Sequence, residues 1–487
     1  MGKITKEKLI NFLEDISNIF GNYLDASDSI LYLLRILFLK HISDEFEFHK
    51  ENLFSNNFLL PEEAKWTEIE NCSKNIHLKI NNSFKLIEKF NPGLKDVFLS
   101  NNIEKNHILN DQRLKDIVDK FSANKFNSLN LESNDLLGLA TEILIKIFAD
   151  SSLKNGEENY TPPELLKLLV QLVKPKSGMT IYDPTCGTGG ILIESKNYLK
   201  NKGEEFRNIF LYGQEMNKTS WSICNINILL NGLKTFKDSD QNIKFGDTLS
   251  NPKHISNGKI MKFDRVIANP PFSLKNWGIE KAQEDKFERY NFGLPPKRDG
   301  TMAFIQHMIS SLNDSGIMAV IVSHGLLFRK GIESDIRKKI LECDFLEAVI
   351  GLPKSLFYGT NIPASILIFN KNKIEEHRNK VLFVDASNNY EKFKEKNILG
   401  DEAISNIVQI FDSFSDKEGY SKVITIEDLK LNNFNTYVKR YADTSASEIY
   451  NLSKQYKNYE TKLFSEIVKE VNFGKTKFKD YENSFYL

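Results

Sequence analysis

The chain has 487 residues, 41% of them hydrophobic, with 65 basic and 65 acidic side chains. This length and apolar content allow more than one domain and a sizeable core. A net charge of zero argues against an autonomous DNA-binding protein. No apolar run of about 18 residues and no signal peptide is apparent, so we expect a cytoplasmic protein without membrane insertion. The four cysteines lack the spacing of a metal site or a disulfide framework.

The first 150 residues carry apolar side chains at helical spacing, for example Ile30, Leu33, Leu34 and Leu37, without an alternating strand pattern. We therefore predict a helical N-terminal domain. Its last helix, from about residue 136 to about 149, should pack toward the following domain. The polar residues 154–159 are interpreted as a linker.

Tyr160, Thr161 and Pro162 precede a predicted helix that runs to Val173. Hydroxyl groups and free N–H groups at a helix start suit a ligand carboxylate. The alternative is that Thr161 only caps the helix before a proline.

A glycine-rich turn, Asp183 to Gly190, lies between a predicted strand and a predicted helix. Glycines let the backbone approach a ligand closely and leave helix N-terminal N–H groups free. The turn lacks the Lys-Ser/Thr ending of a phosphate-binding loop, and Asp183 suits an ammonium group. Glu215 closes the next predicted strand, where doubly wound sheets keep an acid for ribose hydroxyls. Together these features favour an aminoacyl nucleoside without phosphates, and S-adenosylmethionine fits that description.

Asp247 follows another short predicted strand, Ile243 to Phe245. Its carboxylate is placed to accept a hydrogen bond from the adenine amine of such a cofactor. An isolated Gly-Asp pair is more often only a turn.

Asn269, Pro270, Pro271 and Phe272 follow the buried-strand pattern of residues 263–268. The Asn269 amide oxygen and the Pro270 carbonyl can accept both hydrogens of a flat, conjugated NH2 group, and the Phe272 ring can stack on its plane. Such acceptors would localise the nitrogen lone pair toward an electrophilic methyl group. Alternatively, the two prolines only end a strand.

These motifs, in this order, resemble the modification subunit of type I restriction-modification systems, an N6-adenine DNA methylase family. The resemblance implies an α/β Rossmann-like S-adenosylmethionine-dependent methyltransferase with a helical N-terminal domain and a helical C-terminal tail. It implies no metal and places catalysis on Asn269, Pro270, Pro271 and Phe272. The residues it implies for cofactor binding are Tyr160, Thr161, Pro162, Asp183, Thr185, Gly187, Thr188, Gly189, Gly190, Glu215 and Asp247.

The same resemblance implies three regions and several partners. Residues 1–150 would contact DNA or partners, residues 151–400 would catalyse, and residues 401–487 would contact a specificity subunit. The other expected partners are DNA, a second modification subunit and a restriction subunit. Residues 464–468 and 481–487 resemble the opening of a target-recognition segment found in fused proteins.

Basic and aromatic side chains alternate in the loop after Phe272, which is typical either of a DNA channel or of a solvated loop with a few anchoring rings. These residues are Lys275, Trp277, Lys281, Lys286, Arg289, Tyr290, Phe292, Lys297 and Arg298.

Two functional alternatives stay open at this point. The same acceptor chemistry serves enzymes that methylate a protein glutamine or guanine N2 in RNA. The chain could also act as a scaffold subunit with little activity of its own.

Overall fold

The computed structural model describes residues 3–442, apart from 21–23, 50–57, 99–109, 134, 153–159, 234–235, 238–239, 358–361 and 394–395. Helices dominate the described part before residue 153, in agreement with the apolar spacing. Helix α1, for example, buries Leu9, Leu13, Ile16 and Phe20 along one face. The α-helices of this region are α1 (Lys6–Phe20), α2 (Ala26–His49), α3 (Trp66–Glu70), α4 (Ile76–Phe90), α5 (Asp111–Ser122) and α6 (Ala140–Ser152).

A nine-stranded sheet forms the centre of the following region. Its strands are β1 (Thr180–Asp183), β2 (Phe210–Glu215), β3 (Ile243–Phe245), β4 (Phe263–Ala268), β5 (Leu312–Ser323), β6 (Leu346–Gly351), β7 (Ala364–Asn370), β8 (Lys380–Asp385) and β9 (Ser421–Thr425). The α-helices before, between and after them are α7 (Pro163–Val173), α8 (Gly190–Asn201), α9 (Lys218–Leu230), α10 (Ile279–Ala282), α11 (Thr301–Ser310), α12 (Gly325–Phe328), α13 (Ile332–Glu342), α14 (Asp401–Ser413) and α15 (Ile426–Leu431).

The strand order is β9-β8-β6-β7-β5-β4-β1-β2-β3. Strands β3, β2, β1, β4 and β5 pair in parallel, whereas β7 is antiparallel to both of its neighbours and β9 is antiparallel to β8. Strand β6 is buried along its whole length and β4 along most of it. This burial is typical of a sheet that is covered on both faces. The structure therefore confirms the predicted α/β class.

The chain past residue 400 differs from the predicted helical region. Strand β9 pairs with β8 from Lys380 to Val384, so the sheet continues beyond that boundary. Helix α14 packs against α7. The predicted linker, residues 154–159, and the predicted specificity-subunit contact and target-recognition segments beyond residue 442 lie outside the described residues.

Strands β1 and β4 are parallel neighbours, with Ile181 opposite Arg265. Their carboxyl ends, Asp183 and Ala268, therefore meet at one edge of the sheet, where open α/β sheets bind ligands. Helix α2 packs against α6 and α9 and so attaches the helical region to this sheet. Within the described ranges, no helix is long and apolar enough to cross a membrane.

Candidate active site

The glycine-rich turn wraps around the carboxyl end of β1. The Asp183 side chain is buried, and its Oδ1 accepts a hydrogen bond from the Thr185 N–H at 2.9 Å. Gly187 and Gly189 have φ angles of 52° and 87°, in the left-handed region that favours glycine. A Cβ atom at Gly189 would also lie 2.8 Å from the Cys224 sulfur. The turn therefore needs glycine for both its conformation and its packing.

Two acidic side chains lie at the next strand ends. Glu215 Oε2 accepts from the Gly187 N–H at 2.9 Å, which fixes the acid to the glycine-rich turn. Asp247 accepts from the Leu249 N–H at 3.0 Å and from the Ser250 hydroxyl at 2.6 Å, as a turn residue does. The adjacent Thr248 hydroxyl donates to the Pro184 carbonyl at 2.6 Å, so this turn contacts the Asp-Pro motif.

Asn269 follows β4 and contacts the segment that opens α7. Its Nδ2 donates to Thr161 Oγ1 at 2.9 Å. Pro162 occupies the N-cap position of α7, which has no side-chain cap, so the helix-cap interpretation of Thr161 is wrong. Asn269 Oδ1 is buried and has no hydrogen-bond partner among the described residues. A buried oxygen without a partner costs about 1–3 kcal/mol, which favours a ligand that donates to it.

Phe272 is half-buried and packs edge-on against Phe357, with ring centroids 5.5 Å apart and an interplanar angle of 82°. This T-shaped contact fixes the orientation of the two rings relative to each other. The Phe272 ring is partly exposed, and an exposed aromatic surface can stack on a planar base.

A cavity of about 340 Å³ joins the two strand ends, which is within the range of roughly 300–1,000 Å³ that is usual for small-molecule sites. Many of the expected site residues line it, whereas Pro162, Gly189, Glu215, Asp247 and residues 270–272 do not. The expected residues in the lining are Tyr160, Thr161, Asp183, Thr185, Gly187, Thr188, Gly190 and Asn269.

The cavity also has a wall that the sequence analysis missed. Helix α6 contributes Thr141, Glu142, Ile145 and Lys146, which share one helical face. Thr141 Oγ1 is buried and has no hydrogen-bond partner among the described residues. The spacing of this stripe was visible in the sequence, but its orientation toward the cavity was not. The helical region therefore forms part of the cofactor-sized cavity.

Burial, and to a smaller extent the nearby Glu215 carboxylate, raise the pKa of Asp183 to about 8. Burial also raises the pKa of Glu215. Both shifts arise because low-dielectric surroundings penalise the charged form of a carboxyl group. A perturbed carboxyl group that lines a cavity, as Asp183 does, marks the cavity as a candidate functional site.

The loop after Phe272 does not match the DNA-channel interpretation throughout. Arg289 is buried, pairs with Asp285 at 2.7 Å and donates to the Leu249 carbonyl at 2.8 Å. Trp277 is also buried, and its Nε1 donates to the Pro296 carbonyl at 3.0 Å. For Arg289 the structure excludes the DNA-channel alternative, because this buried side chain anchors the loop from inside.

The sheet, the glycine-rich turn and the cavity define a class of protein, the S-adenosylmethionine-dependent α/β methyltransferases. The residue types present fit this cofactor, because a carboxylate, hydroxyl groups and the open end of α8 are groups that suit an amino acid joined to a nucleoside. The model of the N-6 DNA methylase family matches residues 132–449, and that of the HsdM N-terminal domain matches residues 9–121. The chain therefore belongs to the N-6 DNA methylase family, and it transfers a methyl group from S-adenosylmethionine to N6 of adenine in DNA.

Individual relatives give the same answer. The chain is 34% identical to the type I restriction enzyme MjaVII methylase subunit of Methanocaldococcus jannaschii, over 90% of this chain and 78% of the relative. It is 30% identical to the HindI methylase subunit of Haemophilus influenzae, over 76% and 83%. A type I methyltransferase subunit from Streptococcus thermophilus superposes with a TM-score of 0.78 at 25% identity, over 90% of this chain and all of that one. The chain is thus a modification subunit of the type I class, which decides against protein glutamine and RNA guanine as substrates.

Proposed function

We propose that residues 269–272 hold the N6 amine of an adenine that has been flipped out of the DNA duplex. The observation that carries this proposal is the buried Asn269 Oδ1, which has no partner among the described residues and belongs to a side chain that lines the same cavity as Asp183. A stacked base cannot reach such a site, and flipping it costs a few kcal/mol. The Phe272 ring would offset part of that cost by stacking on the extruded base.

Asp183 and the residues around it would hold the cofactor. The buried carboxylate would accept from the cofactor's ammonium group, and the glycine-rich turn would let the chain lie close to the nucleoside. Glu215, which is fixed to Gly187, would accept from the ribose hydroxyls. Tyr160, Thr161 and Pro162 would border the methionine end. Asp247 has the weakest support, because its oxygens already accept within their own turn.

The chemistry assigned to the chain is the activation of a weak nucleophile. When bound, S-adenosylmethionine supplies an electrophilic methyl group on a sulfonium. Asn269 Oδ1 and the Pro270 carbonyl would accept the two N6 hydrogens and localise the nitrogen lone pair, which is otherwise delocalised into the ring. Transfer would form the N6–CH3 bond as the S–CH3 bond breaks with its electron pair left on sulfur. The methylated nitrogen would then lose one proton to solvent, so no general base is needed before transfer.

Thr161 would orient the catalytic amide. Its Oγ1 accepts from Asn269 Nδ2 at 2.9 Å, which leaves Oδ1 as the free end of the amide. An amide that could rotate would present a donor NH2 to the target amine half of the time. Thr161 is thus a positioning residue that acts through Asn269.

We further propose that the chain works in an assembly with a specificity subunit, a second modification subunit and a restriction subunit. The relatives are described as methylase subunits, which supports an assembly of several chains. The net charge of zero supports the same arrangement, since a neutral chain gains DNA affinity and sequence choice from partners.

The test is methyl transfer by the full-length chain assembled with its specificity subunit, on DNA whose site has been mapped by sequencing. Labelled S-adenosylmethionine should place label on N6 of one adenine. Replacing that base with purine, which lacks the amine, should abolish transfer while DNA binding persists. Label on another atom or base would contradict the proposal, and binding without any transfer would make the chain a scaffold.

A further inference from the structure

A second concave surface lies directly beyond the catalytic tetrapeptide. Its lining is Ser273, Lys275, Arg298, Asp299, Arg329 and Lys330, and we call it the basic groove. Ser273 follows Phe272 and has a φ of 53°, a left-handed conformation that is uncommon for a residue with a side chain. The chain therefore turns sharply between the proposed base platform and the groove.

Buried carboxylates hold the two arginines of the groove. Arg329 pairs with Asp299 at 2.6 Å and with Glu333 at 3.2 Å, and Arg298 pairs with Glu333 at 2.7 Å. Asp299 and Glu333 are only 3% and 1% exposed, whereas the side chains of Arg329 and Arg298 are 33% and 65% exposed. The buried carboxylates thus fix the two guanidinium groups, and both arginine side chains remain partly exposed to solvent.

The arginines retain hydrogen-bonding capacity. Arg329 donates to described acceptors through Nη1 alone, and Arg298 does so through Nη2 alone. Gly325 leaves room for the Arg329 guanidinium group, because a Cβ atom at position 325 would lie 2.9 Å from Arg329 Nε. Fixed guanidinium forks with open donors suit phosphate oxygens.

Two lysines complete the positive charge. Lys275 and Lys330 are exposed, and neither forms an ion pair with any described residue. The groove and the carboxylates beneath it therefore hold four cationic and two anionic side chains, which leaves a local excess of positive charge in a chain whose net charge is zero. A local excess of this kind attracts an anionic ligand.

We propose that the basic groove binds the DNA backbone phosphates next to the flipped adenine. This inference rests on the proposed function, which places the base on Phe272. Ser273 is the next residue, so its Cα lies about 3.8 Å from that of Phe272. The phosphates that flank a base held there must pass over the adjoining surface, and phosphate contacts fix the register of a protein on DNA.

The experiment compares two double variants of the full chain assembled with its specificity subunit. Lys275→Ala/Lys330→Ala removes both unpaired lysines of the groove. Lys339→Ala/Lys430→Ala removes two exposed lysines of helices α13 and α15 that do not line the groove, so the change in net charge is equal. DNA affinity is measured by fluorescence anisotropy over a salt series, and methylation kinetics and S-adenosylmethionine affinity are measured in parallel.

The groove variant should weaken DNA binding by about 10-fold or more and lower the salt slope by about 0.9 for each lost phosphate contact. Its cofactor affinity and its kcat at saturating DNA should stay within about two-fold of the wild type. The control should keep the wild-type DNA affinity. Equal effects of the two variants would overturn the proposal, and so would a loss of subunit assembly, which would make the groove a protein interface.

The binding readout separates this proposal from the proposed function. Anisotropy does not require methyl transfer, so it tests the groove even if Asn269 proves dispensable for catalysis. Conversely, Asn269→Ala could lower kcat while the groove variant binds DNA as the wild type does. That result would reject the role of the groove in DNA binding and leave the catalytic role of Asn269 standing.

Discussion

Two buried oxygen acceptors lie at the ends of the neighbouring strands β1 and β4, and only one of them can carry a charge. Asp183 is titratable, and burial raises its pKa to about 8, so it holds a proton at neutral pH in the absence of a cation. Asn269 carries an amide, which has no such option, and its Oδ1 stays buried without a partner among the described residues. This difference indicates which kind of ligand each side chain suits. Asp183 suits a cation that can displace its proton, and Asn269 suits a neutral donor such as an amine.

The largest effect on cofactor binding is expected at Asp183. Asp183→Asn keeps the acceptor for the Thr185 N–H but removes the negative charge that would pair with the ammonium group. A hydrogen bond to a charged group contributes about 1.5–3 kcal/mol, so the Kd for S-adenosylmethionine should rise roughly 10- to 150-fold. Isothermal titration calorimetry measures this directly. Asn269→Ala serves as the matched control and should bind the cofactor as the wild type does. An equal rise of the S-adenosylmethionine Kd in both variants would contradict the assignment of Asp183 to the cofactor and of Asn269 to the target amine.

Calorimetry in buffers of different ionisation enthalpy sharpens the same comparison. At about pH 7 the Asp183 carboxyl is protonated, because its pKa is about 8, and pairing with an ammonium group would ionise it. Cofactor binding to the wild type should therefore release close to one proton more than binding to Asp183→Asn. Equal proton release by the two proteins would show that Asp183 does not receive the cation.

At the amine end, Phe272→Ala should raise the KM for DNA. Stacking of a base on an aromatic ring contributes about 1–3 kcal/mol, which corresponds to roughly 5- to 150-fold. Phe272→Tyr keeps the ring and should stay near the wild type. Steady-state methylation assays over a DNA concentration series measure both variants. An unchanged KM in Phe272→Ala would remove the stacking role.

A smaller effect is expected at Thr161, whose hydroxyl oxygen accepts a hydrogen bond from Asn269. Thr161→Val keeps the shape but removes the acceptor for Asn269 Nδ2. The loss of one neutral hydrogen bond, about 0.5–1.5 kcal/mol, should lower kcat by roughly 2- to 13-fold. Thr161→Ser should restore kcat because it restores the acceptor. If Thr161→Val and Thr161→Ser had the same kcat, Thr161 would contribute to packing and would not orient the Asn269 amide.

A separate effect concerns stability and pH. The raised pKa of Asp183 means that its contribution to stability is fully present below its ordinary pKa of 3.8 and is lost as the pH rises to about 8. The free energy of unfolding of the cofactor-free protein should therefore fall with pH relative to Asp183→Asn, by at most about 1.4 kcal/mol per pH unit. Denaturant titrations between about pH 5 and about pH 8 test this, and parallel pH profiles would contradict it.

The sequence predicted the strand ends well, because apolar runs that stop at Asp183 or Asn269 are local signals. Other features depend on distant contacts. Thr161 and Asn269 are 108 positions apart, so their hydrogen bond had no local signature. Strand β9 has only five residues at the sheet edge, too short for a clear pattern. The burial of Arg289 did have a signal, since Asp285 lies four residues earlier and pairs with it.

The central claim is that Asn269 Oδ1 accepts from the target amine, and kcat for Asn269→Ala in the assembled methyltransferase tests it most directly. Removing one preorganised polar group at a reacting centre typically lowers kcat by about 10²- to 10³-fold. The claim predicts a fall of this size, with the S-adenosylmethionine Kd within about two-fold of the wild type. Full N6 methylation of adenine by Asn269→Ala would contradict it.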